Sequence, residues 1–127
     1  MAIDKNWVLS INEEIVTQYG GTSGVRDYGL LESALNRADT IRHYKPTANI
    51  FELVASVSYS LIKNHPFFDG NKRVGFVVCE AMLAINDYKL EVSQDEKYQQ
   101  FMAVASGVAS EENLAQWLET KATKLAK

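Results

Sequence analysis

The strongest constraint on the fold is a stripe of apolar and small residues between positions 47 and 64. Phe51, Val54, Ala55, Ser58, Leu61 and Ile62 recur at the i, i+3, i+4, i+7 spacing of one helix face. Pro66 stops that helix, because proline disfavours α geometry in the preceding residue, His65. Such a stripe must be covered by other elements, and the rest of the chain offers helices. Val8, Ile11, Ile15 and Tyr19 share a face before Gly20 and Gly21 end the pattern. Leu30, Leu31, Ala34 and Leu35 follow Asp27, a suitable N-cap. A further helix opening around Asn71 carries Val74, Val77, Val78, Ala81 and Ile85 inward and ends near Asn86-Asp87. Ser93 caps a helix that buries Tyr98, Phe101, Met102 and Ala105 and closes at Gly107. Ser110, with Glu111 and Glu112 behind it, opens a last helix carrying Leu114, Trp117 and Leu118. Residues 37–46 have no clear period and read as loop, and residues 88–92 read as a brief extended piece.

The expectation is therefore an all-α fold, a compact bundle of about six helices with little or no strand. A chain of 127 residues has room for one core, and no repeat or linker divides it, so residues 1–127 are expected to form a single domain. Hydrophobic residues make up 46% and charged residues 23%, which is a globular balance. A net charge of −3 argues against non-specific attraction to nucleic acid or to an anionic membrane, so neither is an expected partner. No apolar run reaches the roughly 18 residues that span a bilayer. The N-terminus lacks the layout of a signal peptide, and the lone Cys79 sits in the apolar stretch GFVVCEAMLAI as a small buried hydrophobe. A cytoplasmic location is expected.

Between the two central helices lies HPFFDGNKR, residues 65–73. A helix N-terminus presents unpaired N–H groups and a partial positive charge, which suits an anion. Gly70 permits a sharp turn and a close backbone approach. Lys72 and Arg73 fall in the first turn, where cations oppose the helix dipole by about 0.3–1 kcal/mol each when exposed, and a docked phosphate reverses that sign. Asp69 repels a phosphate unless Mg²⁺ lies between them, a usual arrangement for that ion. His65 is a base that works near neutral pH. Phe67 is expected to point into the core as a peg. Each residue also has an ordinary reading: a helix-end histidine, an Asp-Gly turn, a solvated Lys-Arg pair. The residues alone leave a phosphate-binding enzyme and a plain interhelical loop both open.

The segment resembles the signature of the Fic/Doc family, His-x-Phe-x-(Asp/Glu/Asn)-(Gly/Ala)-Asn-(Gly/Lys)-Arg. It is matched at His65, Phe67, Asp69, Gly70, Asn71, Lys72 and Arg73. Upstream, GGTSGVRDYGLLESALNR (residues 20–37) is similar to a stretch common in the death-on-curing branch. The resemblance implies a compact helical fold with the motif between two central helices, and transfer of part of a nucleotide to a protein hydroxyl. It implies His65 as general base and Asp69 as the Mg²⁺ ligand. Gly70, Asn71 and Lys72 would form the anion hole by their backbone, with Lys72 and Arg73 neutralising phosphate, and ATP and Mg²⁺ are the cofactors.

Nucleotidylating members read Gly-Asn-Gly-Arg and carry a second arginine three residues on, whereas this chain has Lys72 and Phe76 at those positions. The death-on-curing subtype shares the lysine and resembles a protein kinase that moves the γ-phosphate of ATP onto elongation factor Tu, arresting translation. Phosphorylation is the expectation on that basis. Gly70 is the typical residue of the nucleotidylating members, so AMP transfer is the alternative, and a non-catalytic interaction protein on the same fold is the third reading. The self-inhibitory pattern of the family fails, because Val108 stands four residues before Glu112-Asn113. The resemblance then implies a separate antitoxin, small and partly disordered, docking in a groove beside the motif, with Phe68 a candidate for its rim. In the GTSGVRDYG stretch, Arg26 and Asp27 have two readings: contacts of a flap that aligns the target, or, for Asp27, a simple N-cap.

Overall fold

A computed structural model describes residues 3–126. In chain order it contains α1 (Lys5–Tyr19), α2 (Tyr28–Leu35), α3 (Arg37–Tyr44), α4 (Ile50–Asn64), α5 (Asn71–Ile85), β1 (Tyr88–Leu90), α6 (Gln94–Ser106), α7 (Glu111–Lys121) and β2 (Ala122–Lys124). The fold is all-α. The single small sheet among the described residues pairs β1 with β2 antiparallel, Lys89 opposite Thr123. The extended reading of residues 88–92 thus becomes one strand of a clasp that returns the chain end to the body.

Helix α4 is the axis. Nine of its residues are buried, from Leu53 to Ile62, and α2, α3, α5, α6 and α7 all pack on it. A helix buried on nearly every side has no solvent face to keep polar, so its serines turn to main-chain acceptors instead. Ser56 Oγ donates to Leu53 O (2.7 Å) and Ser58 Oγ donates to Gly75 O on α5 (2.9 Å). The latter contact marks where α4 and α5 come closest. A Cβ on Gly75 would lie 2.6 Å from Ile62 Cγ1 and 3.2 Å from the Ser58 carbonyl, so only glycine allows this approach.

The helix starts follow their caps. Asp4, Asp27, Asn49, Ser93 and Ser110 each accept a first-turn amide on their side chains. Ser110 and Asn113 complete a reciprocal capping box. Asn49 sets the start of α4 at Ile50, three residues after the Thr47 read from the sequence.

Three expectations need correction. Residues 37–46 are largely helical and not loop, which makes seven helices among the described residues, in keeping with a bundle of about six. Helix α3 buries only Ala38 and Ile41, and Asn36 joins it to α2 without a side-chain cap, so neither a period nor a stop signal announces it. On α5 the inward residues include Cys79, Met82 and Leu83, while Ile85 is 63% exposed. On α1 and α6, Tyr19 and Tyr98 are more than half exposed, and buried Val16, Lys97 and Val104 replace them. Among the described residues, no helix is long and apolar enough to cross a membrane.

Candidate active site

The motif loop is shaped by one buried amide. Asn71, the first residue of α5, accepts from Phe67 N (2.9 Å) on Oδ1 and donates from Nδ2 to Phe67 O (3.0 Å). These two bonds close the loop on itself, and the fully buried Phe67 ring pins it to the core as expected. His65 ends α4 in the left-handed region, φ 50 and ψ 57. A non-glycine residue there costs about 1–3 kcal/mol, and the neighbouring hydrogen bonds hold it. The result is an exposed imidazole at the mouth of the loop. Asn71 Nδ2 reaches His65 Nδ1 at 3.5 Å, at the outer limit of a hydrogen bond.

The stretch after α1 folds over this loop as a strap. Val25 and Phe67 form an antiparallel bridge. Phe68 N donates to Gly24 O (3.2 Å), and Arg26 N and Asp27 N donate to Pro66 O (2.7 and 3.1 Å). The Arg26 guanidinium donates from Nε to His65 O (2.7 Å) and from Nη2 to Asn64 O (2.9 Å), carbonyls that the end of α4 leaves without helical partners. Asp27 accepts Leu30 N (3.0 Å) as the α2 cap. The partners of both side chains thus lie within the chain.

The strap also meets the carboxylate. Thr22 N donates to Asp69 Oδ2 (2.7 Å), and a Cβ on Gly21 would lie 2.9 Å from that same oxygen. Gly21, at φ 113, is therefore required twice, by its conformation and by the close passage. Beneath, Asn12 of α1 donates to Asp69 O (2.8 Å) and accepts Gly24 N (3.2 Å). Asn12 is 2% exposed and ties strap and motif to α1. The sequence reading missed it, although a signal was present: Val8, Asn12 and Ile15 share i, i+4, i+7 spacing, so an amide stands in an apolar stripe.

The N-terminus of α5 is open. Its first main-chain bond runs from Val74 N to Gly70 O (2.9 Å), leaving the amides of Asn71, Lys72 and Arg73 without main-chain acceptors among the described residues. Lys72 and Arg73 turn outward to aromatic and thioether partners. Lys72 Nζ lies 2.8 Å from Met102 Sδ and 5.3 Å from the Tyr98 ring centre on α6. Arg73 Cζ lies 3.7 Å above the Tyr19 ring at the end of α1. Phe76 packs on Phe101 (4.9 Å between ring centres). Tyr19, Lys72, Arg73, Phe76, Tyr98 and Phe101 line a groove of about 1280 Å³ between α1, α5 and α6, with Trp7, Ile11 and Ile15 in its apolar lining and Glu13, Glu14 and Asp95 in its polar lining. Phe68 is not part of that lining; its ring lies beneath Gly24 on the strap side.

For a metal, the described residues hold no group of three His, Cys, Asp or Glu side chains that could bind one alone. Asp69 is exposed, and its Oδ1 has no hydrogen-bond partner among the described residues. One carboxylate beside an open helix N-terminus fits Mg²⁺ carried in with phosphate oxygens and suits no all-protein cage. Cys79 is fully buried, and burial pushes its thiol well above the ordinary range, so it is not a nucleophile. Away from the site, burial raises Glu111 while Arg37, 3.7 Å away, opposes the shift.

The Fic/DOC family profile matches residues 2–83, a span that includes the strap, the motif loop and most of α5. The chain is 35% identical over 78 residues to "Toxin Doc" of Mycolicibacterium smegmatis, covering 61% of this chain and 60% of that protein. It is 27% identical over 66 residues to "Protein kinase doc" of Escherichia phage P1, covering 52% of each. The chain thus spans between half and three-fifths of the length of these curated relatives. With a family match over well more than half its length, the chain belongs to the Fic/DOC family.

Proposed function

We propose that this chain is the toxin of a toxin–antitoxin pair. It acts as a Mg²⁺-dependent protein kinase that moves the γ-phosphate of ATP to a hydroxyl of a translation factor of the elongation factor Tu kind. The observation that carries the choice of reaction is the composition of the α5 N-terminus. Lys72 stands beside the phosphate amides, and position 76 holds an aromatic ring packed on Phe101 where nucleotidylating members have a second arginine. A pose that needs the second arginine has no clamp here. The phage relative's name, a protein kinase, points the same way.

In this reading each residue has one task. His65, exposed and set by a left-handed backbone, takes the proton of the target hydroxyl as the oxygen attacks the γ-phosphorus and the bond from that phosphorus to the bridging oxygen breaks, releasing ADP. The main-chain amides of Gly70, Asn71 and Lys72 would form the anion hole for the transferring phosphoryl group, and the Lys72 and Arg73 side chains would offset its charge. Asp69, through Oδ1, would hold Mg²⁺, which would supply positive charge to offset that of the phosphate. Strap residues Arg26 and Asp27 shape the edge along which a target segment would lie. The reaction occurs in the cytoplasm, where both ATP and the translation factor are found.

The groove between α1, α5 and α6 is assigned to the antitoxin. Trp7, Ile11, Ile15 and Phe76 give its lining an apolar part, and Glu13, Glu14 and Asp95 stand beside Lys72 and Arg73 in the polar part, so the docking segment is an amphipathic helix. A disordered segment that folds on binding suits such an open trough.

The test uses ATP labelled at the α- or the γ-phosphate, incubated with bacterial lysate and the purified chain. Label reaching protein from the γ position alone is expected. Transfer from the α position alone overturns the kinase reading in favour of AMP transfer, for which Gly70, the residue typical of the nucleotidylating members, is the supporting feature. Cellular effects that survive His65→Ala intact favour a non-catalytic interaction protein.

A further inference from the structure

We propose that Tyr19 is a positioning residue for phosphate recognition, acting through Arg73; the inference rests on the phosphate-binding reading above. Arg73 is in the first turn of α5, where the helix dipole disfavours a cation. Among the described residues it has no carboxylate within ion-pair distance, and what holds it is the face of Tyr19, 3.7 Å from ring centre to Cζ. That choice of partner has a chemical consequence. A carboxylate or carbonyl would occupy the in-plane N–H groups of the guanidinium, the same groups that grip an oxyanion. An aromatic face uses the π surface of the guanidinium and leaves the in-plane donors free. The stack therefore restricts the plane of the fork and keeps it available.

Tyr19 is suited to that task by its place. It is the last residue of α1, and Gly20 ends the helix by donating to Val16 O (2.8 Å). Three residues on, the strap is fastened to Asp69 through Thr22. The Tyr19 backbone is thus fixed between a helix end and a strap anchored on the carboxylate, while 56% of the residue stays exposed. Lys72 shows the contrast. Its partners, Met102 Sδ and the Tyr98 ring, both stand on α6, and a point charge on a flexible stem has no plane to fix.

The experiment measures binding of Mg-ATP and of magnesium with inorganic tripolyphosphate, by calorimetry, to the wild-type chain and to Y19F, Y19L, R73K and the Y19L/R73K pair. Y19F keeps the stack and is expected to bind as the wild type does. Y19L is expected to weaken both probes by about three- to tenfold, the scale of one partly desolvated cation–π contact. In the R73K background, Y19L is expected to add less than about a twofold loss, because lysine has no fork to hold. Equal losses in both backgrounds overturn the proposal, as does unchanged binding to Y19L. Weakening of ATP but not of tripolyphosphate also overturns it, since the ring would then meet the base. A wild-type chain that binds neither probe overturns this inference and the phosphate reading together, whereas a chain that binds both and ignores Y19L overturns this inference alone. Should Y19L fold poorly, the Arg73 Nε–H proton of the wild-type chain decides: an upfield ring-current shift is expected, and a random-coil position removes the stack.

Discussion

The two sides of the motif loop are built from different kinds of contact. On the strap side, nearly every polar group is fastened by a hydrogen bond of 2.7–3.2 Å: Asn71 to Phe67, Asn12 to Asp69 and Gly24, Thr22 to Asp69, Arg26 to the end of α4. On the groove side, the cations Lys72 and Arg73 have only ring faces and a thioether as partners among the described residues. Directional bonds fix backbone atoms in place whether or not a ligand is present. Ring faces and sulfur leave the cations without an ion pair, so a phosphate can engage them with no ion pair to break first. The strap side sets where the base and the carboxylate stand, while the groove side keeps its charge available.

The largest expected effect is chemical and lies where the two sides meet. His65→Ala removes the base and should lower single-turnover phosphoryl transfer by about 10²–10⁴-fold. His65 is exposed, and alanine relieves little of the left-handed backbone, so thermal unfolding should change far less than the rate. A His65→Ala chain that keeps its rate removes the base from the account.

Next comes the contrast in stability. Asn71→Ala strands the N–H and the carbonyl of Phe67, both at a buried position, and should cost about 1–3 kcal/mol in chemical denaturation. Lys72→Ala, one residue along, should stay within about 0.5 kcal/mol while weakening the transfer. If the two variants unfold alike, the distinction between fastened and unfastened sides is wrong.

Asp27 separates two roles on the strap side. Its carboxylate caps α2, so Asp27→Ala should cost about 1 kcal/mol, and Asp27→Asn, which caps equally well, should restore it. Where transfer to the protein target stays low in Asp27→Asn although stability returns, the charge itself touches the target. Full recovery of both leaves Asp27 a cap alone.

What was legible in the sequence follows the same division. The central stripe on α4, the caps at Asp27, Ser93 and Ser110, and the loop set by Pro66 and Gly70 all announce themselves, because each is a local rule read over a few residues. Helix α3 did not, since eight residues burying two side chains give no measurable period. Asn12, Thr22 and Tyr19 could not be placed at the site from local pattern. Asn12 and Thr22 meet Asp69 across 57 and 47 residues, and only tertiary packing creates those contacts. Tyr19 and Tyr98 had the spacing of core residues yet face the groove, because the walls of an open trough carry the same periodicity as a core. The motif showed which groups do chemistry; the fold was needed to show what holds each of them.

The smallest expected effect probes the weakest contact. Met102 Sδ is the nearest acceptor to Lys72, and a thioether accepts poorly. Met102→Leu conserves volume and should cost about 1 kcal/mol or less in stability. It should leave nucleotide KM within about twofold, because the Tyr98 ring still shelters the ammonium. Adding Tyr98→Leu removes the second partner, and Lys72 then has no holding contact on α6. If Lys72 is merely waiting on that wall, the double variant binds Mg-ATP at least as well as the wild type, since no contact must be broken first. A clear loss of affinity in the double variant means that Tyr98 fixes Lys72 as Tyr19 fixes Arg73, and the groove side is then held more firmly than its contacts suggest.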